Sequence, residues 1–310
     1  MILRLFCLLF LYFLGNLVSA QQWTKALIDM CDASVPGSCG PYGWCETRKS
    51  GNRCHCQIGR MGIKCLRPCQ DVFKSCVKWK ADDRCFWARN STSFFLDNCS
   101  KSCAECRSDG KRLTLALPPM LEPLAWLVGR WEAKTSSGQR FPVPLSGPYK
   151  EILDVQIAEV PAFDRPGINI SITATTFDGW ETHSDLGFMT GKPFNEDNGF
   201  LREVGPGEDL VAVEFASNTG LMTIEEGVIR GQSIIIETKY KKSIFGVNDA
   251  FQEAKRKFTL VSEGNLEERT IFKDKYGQEK KWLKRYHLIH DYLNEIEEAK
   301  EENDANFRRH

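Results

Sequence analysis

From Arg107 to His310 the chain contains no cysteine, it nowhere holds an unbroken apolar run of the ~20 residues a bilayer requires, and neither sign of charge is in excess. Each absence excludes something. A cysteine-free stretch of this size has no disulfides or thiolate metal sites to hold it, so it must be stabilised by burying its own apolar side chains. The missing apolar run removes a helical membrane span. Because 41 basic residues balance 41 acidic ones, there is no global electrostatic case for nucleic acid or an anionic membrane as partner. No phosphate loop or Ser-His-Asp set stands out, and carboxylate pairs such as Glu225-Glu226 lie beside a turn.

What the chain does have is thirteen cysteines, all at or before Cys106. Residues 1–20 open with Arg4 near the start, continue through apolar residues from Leu5 to Leu14, and end in Val18-Ser19-Ala20. That order predicts a signal peptide cleaved after Ala20. Cleavage removes Cys7 and leaves an even twelve, which in a secreted chain reads as disulfides rather than metal sites. The expected location is extracellular, with one domain of ordinary size and smaller pieces before it.

The first six of the twelve run from Cys31 to Cys65 and finish Cys54-His55-Cys56, Gly59, Gly62, Cys65. Glycines at these places suit a tight hairpin, and so short a segment needs bridges to limit its unfolded state. Spacing alone leaves the pairing open. Residues 31–65 resemble an EGF-like module, which implies Cys31–Cys45, Cys39–Cys54 and Cys56–Cys65. Thr47 stands where the calcium-binding subtype carries Asp or Asn, so no calcium site is expected.

The next six close with Cys99, Cys103 and Cys106, a spacing that predicts thiols on successive turns of a short helix. Residues 69–106 resemble a ShKT domain, which implies Cys69–Cys106, Cys76–Cys99 and Cys85–Cys103. Toxin members of that family use a Lys-Tyr pair between the third and fourth cysteines. Phe86 to Asn98 contains no lysine, so channel block is disfavoured. Asn90-Ser91-Thr92 is a glycosylation sequon, as is Asn169-Ile170-Ser171 further on.

Residues 107–122, with Pro118-Pro119, read as a linker, and 294–310 as a charged tail. Between them, 123–293 is mostly of period two. Ile168, Ile170, Ile172 and Ala174 alternate with Asn169, Ser171, Thr173 and Thr175; Val211, Val213 and Phe215 repeat the pattern, and glycine-rich turns separate the runs. The expected class is mainly β, an antiparallel sandwich or closed barrel.

Four stretches, in this order, carry a resemblance: Leu124-Ala125-Trp126-Leu127-Val128-Gly129-Arg130-Trp131, His183-Ser184-Asp185-Leu186-Gly187-Phe188, Asn218-Thr219-Gly220, and Lys284-Arg285-Tyr286-His287-Leu288-Ile289-His290. Residues 118–293 resemble the nitrobindin family of haem-binding β-barrels, which includes the C-terminal domain of a THAP-type zinc-finger protein. The resemblance implies a ten-stranded antiparallel barrel with a ferric haem b held by His287 on its last strand. It also implies a haem pocket including His183, Trp126, Trp131 and Arg285. If His287 faces inward, alternation puts Leu283, Arg285 and Ile289 on its side and His290 on the other. Two departures bear on the distal side: Ala133 and Thr135 replace glycines of the family's opening, and Ser217 replaces a glutamine.

The function so implied is a secreted haem protein acting on nitric oxide or peroxynitrite, as a peroxynitrite isomerase with no catalytic residue beyond the iron. The other readings are a non-catalytic carrier of haem or a small apolar ligand, and an adhesive matrix protein. An extracellular protein is the expected partner of the two small modules.

Overall fold

The computed structural model describes residues 31–47, 51–62, 64–87, 94–159, 161, 166–191, 194–195, 199–200, 208–243, 251–294 and 296–298. The signal peptide, Asn90 and most of the charged tail lie outside them. Among the described residues, no helix is long and apolar enough to cross a membrane. The chain divides into two compact units, Met1–Pro119 with Ile296–His310, and Met120–Glu295.

The first unit is small and stapled. Strands β1 (Gly43–Glu46) and β2 (Arg53–Cys56) form a hairpin, and β3 (Arg60–Met61) pairs with β4 (Arg67–Pro68). Helices α1 (Cys76–Ala81), α2 (Arg84–Trp87) and α3 (Phe94–Asn98) follow. The bridges are Cys31–Cys45, Cys39–Cys54, Cys56–Cys65, Cys69–Cys106, Cys76–Cys99 and Cys85–Cys103. Buried sulfur and a few aromatics, including Phe73, Trp79 and Phe95, serve as core for the helices. After α3 the chain makes one further turn, with the Cys103 amide donating to the Cys99 carbonyl, before Ala104 enters the left-handed region.

The stretch read as linker is partly ordered. Within it β5 (Lys111–Leu113) pairs antiparallel with β18 (Ile296–Glu298), from the stretch read as tail. The Gln70 side chain holds both backbone polar groups of Leu113, at 2.7 and 3.3 Å.

The second unit is a closed ten-stranded barrel. Its strands are β6 (Gly129–Lys134), β7 (Tyr149–Ile157), β8 (Ile168–Thr176), β9 (Thr182–Gly191), β12 (Glu208–Ser217), β13 (Leu221–Arg230), β14 (Ser233–Ser243), β15 (Glu253–Ser262), β16 (Asn265–Lys273) and β17 (Glu279–His290). A small hairpin, β10 (Phe194–Asn195) with β11 (Gly199–Phe200), interrupts the run. Each barrel strand is antiparallel to the next, and β17 returns to β6, so no edge is left unpaired. Along β8, the isoleucines face in while Asn169 faces out, as period two requires.

Gly129 permits the closure. A Cβ there would lie 2.7 Å from Leu288 Cδ1 and 3.0 Å from the His290 carbonyl oxygen. A 3₁₀ helix, Pro119–Leu127, precedes β6 and buries Leu121, Leu124 and Leu127. Three residues per turn place every third side chain on one face, which is the spacing of these leucines.

Candidate functional site inside the barrel

The barrel interior is where a ligand of this fold would sit. Its polar content comes from charged residues placed on the apolar phase of the strands. Glu151 lies between Tyr149 and Leu153 on β7, Arg256 between Ala254 and Phe258 on β15, and Glu268 between Leu266 and Thr270 on β16. Asp185 of β9, Glu225 of β13, and Lys284 and Tyr286 of β17 do the same, and all are buried. Arg140 and Phe141 enter from the β6–β7 connection, also buried.

These groups form one chain of contacts. Arg140 Nε donates to Glu151 Oε2 at 2.9 Å, and its Nη2 pairs with Asp185. Lys284 Nζ lies 2.7 Å from Glu151 Oε1 and 3.4 Å from Glu268 Oε2. The Tyr286 hydroxyl lies 2.5 Å from Glu151 and 2.9 Å from Glu268. Arg256 donates to Glu268 at 2.9 Å and reaches Glu225 Oε2 at 3.4 Å. Three cations thus meet four carboxylates.

Burial pushes every charged form toward neutrality, and the partners decide which stay charged. For Glu151 and Glu268 burial is outweighed, by Lys284 with Arg140 and by Lys284 with Arg256, so both sit below the usual carboxylate range. For Glu225 burial wins over Arg256 and the carboxyl is raised. Its Oε1 also has no hydrogen-bond partner among the described residues. Burial pushes the Tyr149 phenol up to about 12 and Tyr286 well above its usual value.

The remaining space is filled by rings. Phe141, Phe251 and Phe272 pack together with Trp282 against them, and the Arg256 guanidinium lies 4.9 Å from the Phe258 centroid and 5.5 Å from that of Phe141. The cavity left beside Asp185, Glu225 and Arg256 measures about 20 Å³, room for roughly one water.

The histidines and tryptophans singled out in the sequence fall as follows. His183 faces inward on β9, is 8% exposed, and places Nε2 3.0 Å from Glu181 Oε1; no partner for its Nδ1 is found among the described residues. Trp131 is buried and donates its indole N–H to the Leu127 carbonyl at 2.9 Å, a core role. Trp126 is half-buried in the 3₁₀ helix.

His287 does not face the interior. It is exposed, with Nδ1 2.9 Å from Asn265 Oδ1, and Leu283, Arg285 and Ile289 share its outer side. The inward phase of β17 belongs instead to Trp282, Lys284, Tyr286 and Leu288, because Lys284 and Tyr286 answer the buried Glu151 and Glu268. Arg285 pairs on the outside with Glu267 at 3.1 Å, so it is not a pocket residue. A register shift after Leu288 leaves His290 exposed as well, its ring against Tyr292. The interior network was not anticipated from the sequence, although one signal was present: charged residues in the phase of the buried ones.

The THAP4-like, heme-binding beta-barrel domain matches residues 120–285, more than half of the chain. The chain belongs to that family. Its membership supports haem as the ligand of this kind of barrel. Among curated relatives, "Peroxynitrite isomerase THAP4" of Bos taurus is 32% identical over 153 residues, covering 49% of this chain and 23% of the relative. The Homo sapiens protein of that name is 31% identical over 151 residues, covering 48% and 23%. "Uncharacterized protein C28H8.5" of Caenorhabditis elegans is 25% identical over 212 residues, covering 66% of this chain and 67% of its own. The similarity thus spans about a quarter of the THAP4 proteins' length. Among solved structures, "Crystal Structure of Rv2717c from M. tuberculosis" gives a TM-score of 0.41 at 18% identity, covering 56% of this chain and 98% of that one.

The residues of this chain do not fit the family's haem in the described arrangement. Among the described residues, the cavity beside Asp185, Glu225 and Arg256 is about 20 Å³, against the order of 300–1,000 Å³ for cofactor-sized pockets. No histidine of β17 points inward to meet an iron.

Proposed function

We propose that this chain is a secreted, non-catalytic binding protein in which a haem-family barrel is kept as a rigid scaffold beside two disulfide-rich modules, EGF-like and ShKT. The ion network spanning the barrel interior is the observation that carries this reading. It fills the inward phase of β7, β9, β13, β15, β16 and β17 with paired charges, and opening it would leave several of them buried without partners. The even set of bridged cysteines supports an oxidising, extracellular location. Binding to an extracellular protein is supported by exposed rings on the first module, with the Trp44 ring tilted against His55 at 4.3 Å between centroids and Arg60 over Tyr42. Aromatic and guanidinium groups are enriched at such interfaces.

Haem titration of the full secreted chain tests the proposal, with His287→Ala and His183→Ala beside the parent. The expected result is no stoichiometric Soret band and no acceleration of peroxynitrite decay. A one-to-one band lost in either variant would overturn the scaffold reading and restore a histidine-ligated haem protein.

A further inference from the structure

The outer face of the barrel carries an apolar panel that the scaffold reading leaves unexplained. Leu186 and Phe188 of β9, Met222 and Ile224 of β13, and Tyr240 of β14 are all exposed, Leu186 at 63% and Phe188 at 59%. Strand register sets them on two neighbouring rows of one face, one bridged by Ala216 and the other crossed by the exposed Glu214. Leu186 faces Ala216, which faces Met222; Phe188 faces Glu214, which faces Ile224, which faces Tyr240. The solvent face of an antiparallel sheet is ordinarily polar, so such a panel calls for a cover.

The next strand supplies one. Asn169 of β8 is the cross-strand partner of Phe188, and Ser171 is that of Leu186. Asn169 is exposed between the buried Ile168 and Ile170, and Asn169-Ile170-Ser171 is a sequon. On its other side Asn169 faces Gln156, whose amide is engaged by Asp154 and Tyr292. The apolar ground next to Asn169 therefore lies toward β9.

We propose that Asn169 carries an N-linked glycan whose first sugars lie on Phe188 and Leu186 and shield the panel. Directly opposed residues stand about 5 Å apart, which brings the first N-acetylglucosamine over the Phe188 ring. The C–H face of a pyranose is apolar and carries the partial positive charge that an aromatic face attracts. In the transfer, the Asn169 amide nitrogen attacks the anomeric carbon of a lipid-diphosphate oligosaccharide. A C–N bond forms, the sugar–phosphate C–O bond breaks, the amide gives up one proton, and the lipid diphosphate leaves.

The inference rests on the extracellular reading above, so the full chain is expressed behind an unrelated signal peptide. Failure of its own leader then cannot be mistaken for failure of the glycan. Peptide mass spectrometry reads occupancy at Asn169, and an apolar fluorescent dye with gel filtration reads the panel, in the parent, Asn169→Gln and Ser171→Ala. The expected result is an occupied Asn169, dye binding raised at least about twofold with self-association in both variants, and reversal of that rise by adding Phe188→Ser. In the parent itself, nuclear Overhauser contacts should join the first N-acetyl group to the Phe188 ring, a readout independent of whether the variants fold. An unmodified Asn169, an absence of those contacts, or a glycosylated parent that dimerises through Phe188 would each overturn the proposal.

Discussion

At the scale of single residues, the barrel interior separates carboxylates whose charge their partners favour from one whose charge burial disfavours. Glu268 touches Arg256 and Lys284, whereas Glu225 reaches only Arg256 and leaves Oε1 without a partner among the described residues. Replacing Glu268 by Gln leaves two buried cations short of charge and should cost about 3–5 kcal/mol in denaturant unfolding. Glu225→Gln removes a charge that burial already disfavours and should cost less than about 1 kcal/mol. The pH dependence follows the same division. Glu151 and Glu268 are depressed, so their stabilisation is present above the unfolded carboxylate value of about 4.3 and lost as pH falls through their folded values. Glu225 is raised, so its contribution is present below that value and lost as pH rises through its folded value. Melting temperature against pH should therefore drop in acid for the parent, drop less steeply for Glu268→Gln, and lose its decline on the higher-pH side in Glu225→Gln.

At the scale of elements, β17 shows how one strand's phase is decided. Alternation puts His287 and Tyr286 on opposite faces, and the partners across the barrel choose between them. Tyr286 satisfies Glu151 and Glu268, while His287 meets only Asn265 at the surface. Tyr286→Phe should lower unfolding free energy by about 1–3 kcal/mol, since a buried acceptor loses its donor. His287→Ala should stay within about 0.5 kcal/mol of the parent, as surface substitutions usually do. A larger cost for His287→Ala than for Tyr286→Phe would contradict this phase of β17. On β9, a Cβ at Gly187 would lie 1.9 Å from the Glu214 carbonyl oxygen. Gly187→Ala should accordingly weaken the β9–β12 pairing, read as faster amide exchange along β12.

At the scale of the whole molecule, two kinds of stabilisation share one chain. The cysteine unit depends on its bridges, and the barrel has none. Reduction should abolish the first unit's near-ultraviolet dichroism and leave the barrel's thermal transition in place; loss of both together would mean that they fold as one. Much of this organisation was legible in the sequence, because local patterns determine it. The period-two runs at Ile168 and Val211 read as strands with the faces they have, and the cysteine boundary at Cys106 separated the two physics. Spacing alone left the disulfide pairing open, since it fixes which thiols exist and not which approach one another. The sequence also carried Glu151, Arg256 and Glu268 in the buried phase, yet a charge in that phase does not name its partner. Only closure of the barrel brought Lys284 of β17 to Glu151 of β7, far apart in the chain and 2.7 Å apart in space. That contact turned Tyr286 inward and His287 outward, because buried charge must be matched by whatever the tertiary fold places beside it, while local alternation is indifferent to which phase faces in.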